Sequence, residues 1–161
     1  MRRNNLIPGT TTWRPELRLP WVGWLVTSAL GMLIAGTLEA QTRTTNDGIY
    51  SAEQAKRGEA VYADKCAGCH RPDLSGGAFA PPLAGPLFQR VWTGKRLDEL
   101  YLITKVRMPG YTPGSLTNEE YGDSIAFLLQ RNQFVAGEQP LQPDEAQLSG
   151  ILFVPPANLA R

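Results

Sequence analysis

The sequence predicts a small all-α domain, three to four helices joined by irregular Pro/Gly loops. Three observations point there. Apolar residues recur at helical spacing in separate stretches. Polar capping signatures open two of those stretches, at Ser51 and at Thr117. No stretch alternates with a period of two for long enough to build a sheet. At 161 residues and 42% hydrophobic side chains, the chain suits one small domain with extensions.

The first 40 residues read as an export segment. Leu19–Leu38 carries no charge, follows a basic leader and is closed by Glu39-Ala40-Gln41. Basic leader, apolar run and small exit residue are the layout of a secretory signal peptide, with Ala40 suited to the position before the cut. Twenty uncharged residues also suffice to cross a bilayer, with Trp21 and Trp24 at an interface. Residues 1–40 are therefore expected to be a signal peptide or an N-terminal membrane anchor. Both readings place the rest of the chain outside the cytoplasmic membrane, periplasmic or anchored facing the periplasm. Residues 41–49, polar as far as Gly48, read as a linker.

Ser51 opens the first helix, and Gln54 three residues on suits a capping box. Ala55, Gly58, Tyr62 and Cys66 share one helical face. Gly58 costs about 1 kcal/mol relative to Ala within a helix, and close approach of another helix would compensate it. That face leads into Cys66-Ala67-Gly68-Cys69-His70. The pattern C-x-x-C-H is the attachment sequence for a c-type haem: the thiols of Cys66 and Cys69 add across the vinyl groups and His70 reaches the iron. Other readings fit poorly. A structural zinc site needs four ligands, and the chain has two Cys and one His, all inside the motif. A thioredoxin-type C-x-x-C belongs beside a βαβ pattern, which is not visible. A plain Cys66–Cys69 disulfide leaves His70 unexplained. The helices are thus expected to wrap one covalently bound haem c.

Arg71–Pro86 holds four Pro and three Gly and reads as irregular. A ligating imidazole usually donates its second ring N–H to a carbonyl or carboxylate, and Pro81 or Pro82 is a suitable carbonyl source in this stiffened loop. Leu97–Val106 is the next helix, with Asp98 and Glu99 in its first turn and Lys105 and Arg107 near its end, as the helix dipole favours. Met108-Pro109-Gly110-Tyr111-Thr112-Pro113-Gly114 then breaks it. The last clear helix runs from Thr117 to about Asn132, opened by a second capping box at Thr117 and Glu120. Residues 133–161, rich in Pro and Gln, read as an extended C-terminal tail on the domain surface.

A second iron ligand follows by exclusion. His70 is the lone histidine, and Met1 and Met32 lie in the export segment. Met108 remains as the available thioether, and His/Met is a common axial pair for haem c. Without Met108 the position falls to Lys105, Tyr111 or water, which describes a haem enzyme or gas-binding sensor with an open sixth site. With both axial positions filled, the iron exchanges electrons rather than binding a substrate, so the chain reads as an electron carrier and not a catalyst. Trp92 and Arg90 are candidate donors to a haem propionate, an anion costly to bury unpaired. Lys95, Arg96, Lys105 and Arg107 are candidates for a docking patch. A haem-free thiol redox module is the third alternative.

Helix, C-A-G-C-H, Pro-rich loop, helix, Met-Pro and capped helix, in that order, resemble class I cytochrome c over residues 50–132. Gly58 and Tyr62 match that family's glycine and aromatic of the first helix, and Ile125-Ala126-Phe127-Leu128 resembles its last-helix I-A-Y-L run. The resemblance implies a crossing of these two helices at the glycine. Ala80-Pro81-Pro82-Leu83-Ala84-Gly85 is similar to the family's G-P-x-L-x-G segment and implies that the Pro81 carbonyl accepts from the ligand histidine. The stretch from Met108-Pro109 through Pro113-Gly114-Ser115-Leu116-Thr117 to Phe134 resembles cytochrome subunits serving quinoprotein (PQQ) dehydrogenases. That implies redox protein partners, a dehydrogenase as donor and a terminal oxidase or other respiratory acceptor, with the chain free or as an electron-transfer subunit. The net charge is +1, and four basic and two acidic residues fall within residues 1–40, leaving 12 and 13. That balance gives no field for nucleic acid, and a membrane is a partner only if the N-terminal segment is retained.

Overall fold

The computed structural model describes residues 42–159. The signal-peptide or anchor reading of residues 1–40 lies outside the described residues. In chain order the elements are β1 (Arg43–Thr44), α1 (Ala52–Lys65), α2 (Ala67–His70), α3 (Pro86–Trp92), α4 (Leu97–Arg107), α5 (Asn118–Arg131), α6 (Glu145–Leu148), β2 (Ile151–Leu152) and a short 3-10 turn, Ala157–Leu159. The all-α expectation holds: helices carry the domain, and the strands are two residues each.

The main packing is α1 on α5. Gly58 makes it possible, because a Cβ there would overlap the Asp123 carbonyl and crowd the Phe127 side chain. Beside the crossing, Arg57 grips Asp123 with two bonds, Nε to Oδ2 at 2.8 Å and Nη2 to Oδ1 at 2.9 Å. The carboxylate is buried, so the planar two-point geometry that Arg provides satisfies both oxygens. One turn further along, the Tyr62 and Phe127 rings pack at 5.2 Å. Tyr121, Ile125, Leu128 and Leu129, expected as the apolar face of α5, are all buried.

Two helical boundaries carry physical detail. At Thr117 both halves of the capping box form: Glu120 N–H donates to Oγ1 at 3.2 Å, and Thr117 N–H donates to Glu120 Oε2 at 2.7 Å. At Ser51 only half forms. Its hydroxyl accepts from Gln54 N–H at 3.1 Å, but the Gln54 amide turns away to bond Leu141 through both atoms, at 2.9 and 2.7 Å. Helix α3 was not anticipated, since Pro86 reads as part of the preceding loop. In the fold Pro86 occupies the first helical turn, where a missing N–H costs nothing.

The flanking segments depart from expectation. Residues 41–49 were expected as a linker, yet β1 pairs in parallel with β2, Arg43 opposite Ile151 and Thr44 opposite Leu152. Thr45 is buried, its hydroxyl donating to the Val154 carbonyl at 3.1 Å and accepting Val154 N–H at 3.0 Å. Residues 133–161, expected as an extended surface tail, bury Phe134, Leu141, Leu148, Ile151 and Phe153 in the core. The apolar residues of this segment are too irregularly spaced to signal an element, but the burial of these five holds the segment down.

Candidate functional site

Helix α1 stops at Lys65, and α2 is a single turn in which Cys69 and His70 N–H groups donate to the Cys66 carbonyl at 3.1 and 3.0 Å. Residues three and four apart on a helical turn lie on one face. The C-x-x-C-H spacing therefore presents two sulfurs and one imidazole together. The buried Tyr62 hydroxyl, its pKa pushed up to about 12 by desolvation, stays protonated and donates to the Arg71 carbonyl at 2.7 Å, fixing the end of the turn.

His70 is buried, with Nδ1 2.8 Å from the Pro81 carbonyl oxygen. A carbonyl can only accept, so Nδ1 carries the proton and the lone pair is left on Nε2. The loop holding Pro81 folds back tightly. Gly76 N–H donates to the His70 carbonyl and Gly77 N–H to that of Ala80. Gly76 sits at φ 75°, and a Cβ there would lie 2.6 Å from the Ala80 carbonyl oxygen and from Pro82 N. The far side of the loop is pinned by Asn132, a buried side chain that sequence reasoning passed over. Its Nδ2 donates to the Leu83 carbonyl at 2.9 Å, and its Oδ1 accepts Gly85 N–H at 3.0 Å.

Met108 terminates α4, its N–H donating to the Thr104 carbonyl at 2.9 Å, and the Met108–Pro109 peptide is cis. Cys66, Cys69, His70 and Met108 all line one cleft of about 450 Å³. Leu87, Val91, Ile103 and Tyr111 line it too, and all four are exposed. Apolar side chains grouped on an open cleft call for an apolar cover. A flat macrocycle held by two thiols and an imidazole is such a cover, so the residues present fit haem c.

Trp92 and Pro81 line the cleft, but Arg90 does not. On α3 the apolar residues Leu87, Phe88, Val91 and Trp92 form one side, and Arg90, two positions from Phe88, is exposed on another. The cations at the cleft are Lys65, whose Nζ pairs with Asp64 Oδ2 at 2.8 Å, and Arg107. The other basic residues considered for docking are engaged: Lys95 over the Trp92 ring at 5.0 Å, Lys105 over Tyr101 at 5.6 Å, and Arg96 on the Ser149 carbonyl.

Two observations weigh against thiol or zinc chemistry. Burial, with the neighbouring Cys69 adding to it, pushes the Cys66 thiol up to about 11. Redox-active C-x-x-C pairs work through a lowered thiol pKa, the opposite direction. Among the described residues no three His, Cys, Asp or Glu side chains converge as a metal site.

A family model described as cytochrome c oxidase, cbb3-type, subunit III, matches residues 53–128. Over that span the chain is a monohaem c-type cytochrome. The matched span holds the haem motif, Met108 and most of α1 and α5. As a c-type cytochrome the chain carries haem c covalently and works in haem-based electron transfer with redox protein partners. Searches of curated proteins and of solved structures return no match. Among the described residues no helix is long and apolar enough to cross a membrane.

Proposed function

We propose that this cytochrome accepts electrons from a dehydrogenase, of the quinoprotein class, and delivers them to a respiratory acceptor outside the cytoplasmic membrane. The observation that carries the reading is the single cleft lined by Cys66, Cys69, His70 and Met108. Haem c, when bound, supplies a one-electron iron couple. Cys66 and Cys69 would hold it as thioethers. His70, its Nδ1–H spent on Pro81, would bind the iron through Nε2, and Met108 would bind it through its sulfur. Thioether ligation favours a higher potential than a second imidazole would. Lys65, Arg107 and the Trp92 indole line the cleft and would be the donors available there to an anionic propionate. The basic leader and uncharged run of residues 1–40 support export, and the Met108–Phe134 sequence supports the quinoprotein donor.

A visible spectrum tests the ligation. The oxidised protein is expected to show a sulfur-to-iron charge-transfer band at the red end, and the Met108→Ala protein to lose it and to bind carbon monoxide readily when reduced. A parent protein without the band that binds carbon monoxide at neutral pH would instead support the open-site enzyme or sensor. The donor is tested by mixing the oxidised protein with a quinoprotein alcohol dehydrogenase and its alcohol. Rapid haem reduction is expected, and none would remove this class of donor.

A further inference from the structure

Two tyrosines meet in the core between α4 and α5. Tyr101 and Tyr121 pack edge to face with ring centroids 6.4 Å apart, and both are buried. Their hydroxyls are used differently. The Tyr101 hydroxyl is buried and has no hydrogen-bond partner among the described residues. The Tyr121 hydroxyl donates to the Met108 carbonyl at 2.8 Å, with the Lys105 carbonyl further off at 3.4 Å. The remaining bond to the Met108 carbonyl comes from Gly114 N–H and is long, at 3.3 Å. Met108 lies where α4 has ended, so its N–H is the last one tied back into the helix, at Thr104. Its carbonyl has left the helical ladder, and the short bond holding it comes from α5. That helix is in turn fixed by the Thr117 capping box and by the packing on α1.

We propose that Tyr121 is a positioning residue for Met108: its hydroxyl ties the Met108 backbone to α5 and keeps the thioether at the cleft against competing ligands. This rests on the reading of Met108 as an axial ligand. A backbone held at both its N–H and its carbonyl leaves the methionine side chain little freedom to withdraw. Removing one holding bond lowers the cost of withdrawal, and an external ligand then displaces the sulfur more easily.

The experiment is an imidazole titration of the oxidised, haem-loaded protein, followed by loss of the charge-transfer band. Tyr121→Phe keeps the ring and its contact with Tyr101. It is expected to bind imidazole about fivefold more tightly than the parent, the factor that corresponds to one net hydrogen bond of about 1 kcal/mol. Tyr101→Phe makes the same chemical change at the neighbouring hydroxyl that has no partner, and is expected to titrate like the parent. Parent-like imidazole affinity in Tyr121→Phe overturns the proposal, and so does an equal gain in Tyr101→Phe, which would trace the effect to core packing. A parent protein without the charge-transfer band overturns the Met108 reading itself, and that is seen before any variant is made.

Discussion

At the scale of single residues, the site depends on a backbone carbonyl that no side-chain substitution can remove. The Pro81 oxygen fixes the tautomer of His70, and its position depends on the tight return of the loop at Gly76. Two constraints coincide there: a positive φ of 75° and no room for a Cβ beside Ala80 and Pro82. Gly76→Ala is expected to destabilise the haem-loaded protein by about 1–3 kcal/mol in denaturant unfolding, from strain and crowding together. Gly77→Ala serves as the reference, since a Cβ at Gly77 meets nothing nearer than Cys69 O at 3.5 Å. Equal losses in the two proteins would refute the assignment. Much at this scale was legible in the sequence. The haem motif is contiguous, its ligand spacing is the spacing of one helical turn, and the prolines that could serve His70 are few. The cations at the cleft were less so. Arg90 and Arg107 look alike on paper, and which one reaches the cleft depends on the rotation of a seven-residue helix that the sequence did not reveal.

At the scale of elements, hydrogen bonds between segments decide where helices lie. Gln54 shows this most clearly. Its side chain is buried and both its amide atoms are bonded to Leu141, 87 residues away, so it staples the C-terminal segment to α1. Gln54→Ala would strand a buried N–H and a buried carbonyl at about 1–3 kcal/mol each. The expected loss is about 2–6 kcal/mol in unfolding free energy, with the haem spectrum of the folded protein unchanged. A loss under about 0.5 kcal/mol, the usual scale of a surface substitution, would show that water replaces the amide. The sequence placed Gln54 in a capping box, and nothing local distinguishes it from Glu120, which does close one. The choice between a bond three residues back and one 87 residues away is tertiary. Helices α1, α4 and α5 were legible because each couples apolar spacing to a capping or dipole signal. Short α3 and α6 have one turn or two and carry too few periodic positions to register.

At the scale of the whole described molecule, the residues outside the family match close the fold. Residues 42–52 and 133–159 run together through the β1–β2 pair, the Thr45–Val154 bonds and a Gly137 N–H to Tyr50 carbonyl bond of 2.7 Å. These partners are about a hundred residues apart and the strands are two residues long, below what any periodic pattern can show. The result bears on the cleft through Phe153. Its N–H donates to the Lys95 carbonyl and its carbonyl accepts Gly94 N–H, at 2.8 and 2.9 Å. Its buried ring packs edge-on against Phe134 at 5.2 Å and Phe88 at 6.0 Å, and Phe88 lines the cleft. The C-terminal segment thus backs one wall of the haem site. Phe153→Ala would leave a cavity behind that wall, at about 3–5 kcal/mol for a buried Phe. The covalent thioethers keep the haem attached, so the expected signature is a lowered unfolding midpoint without haem loss. Movement of Phe88 into the space would also perturb Trp92, whose ring lies 6.2 Å from it, and with it the haem environment. A shift of the haem absorption or of the Trp fluorescence before global unfolding would register that movement. If Phe153→Ala unfolds within about 0.5 kcal/mol of the parent, the scale of a surface substitution, the flanking segments are a surface covering and the cytochrome domain stands without them.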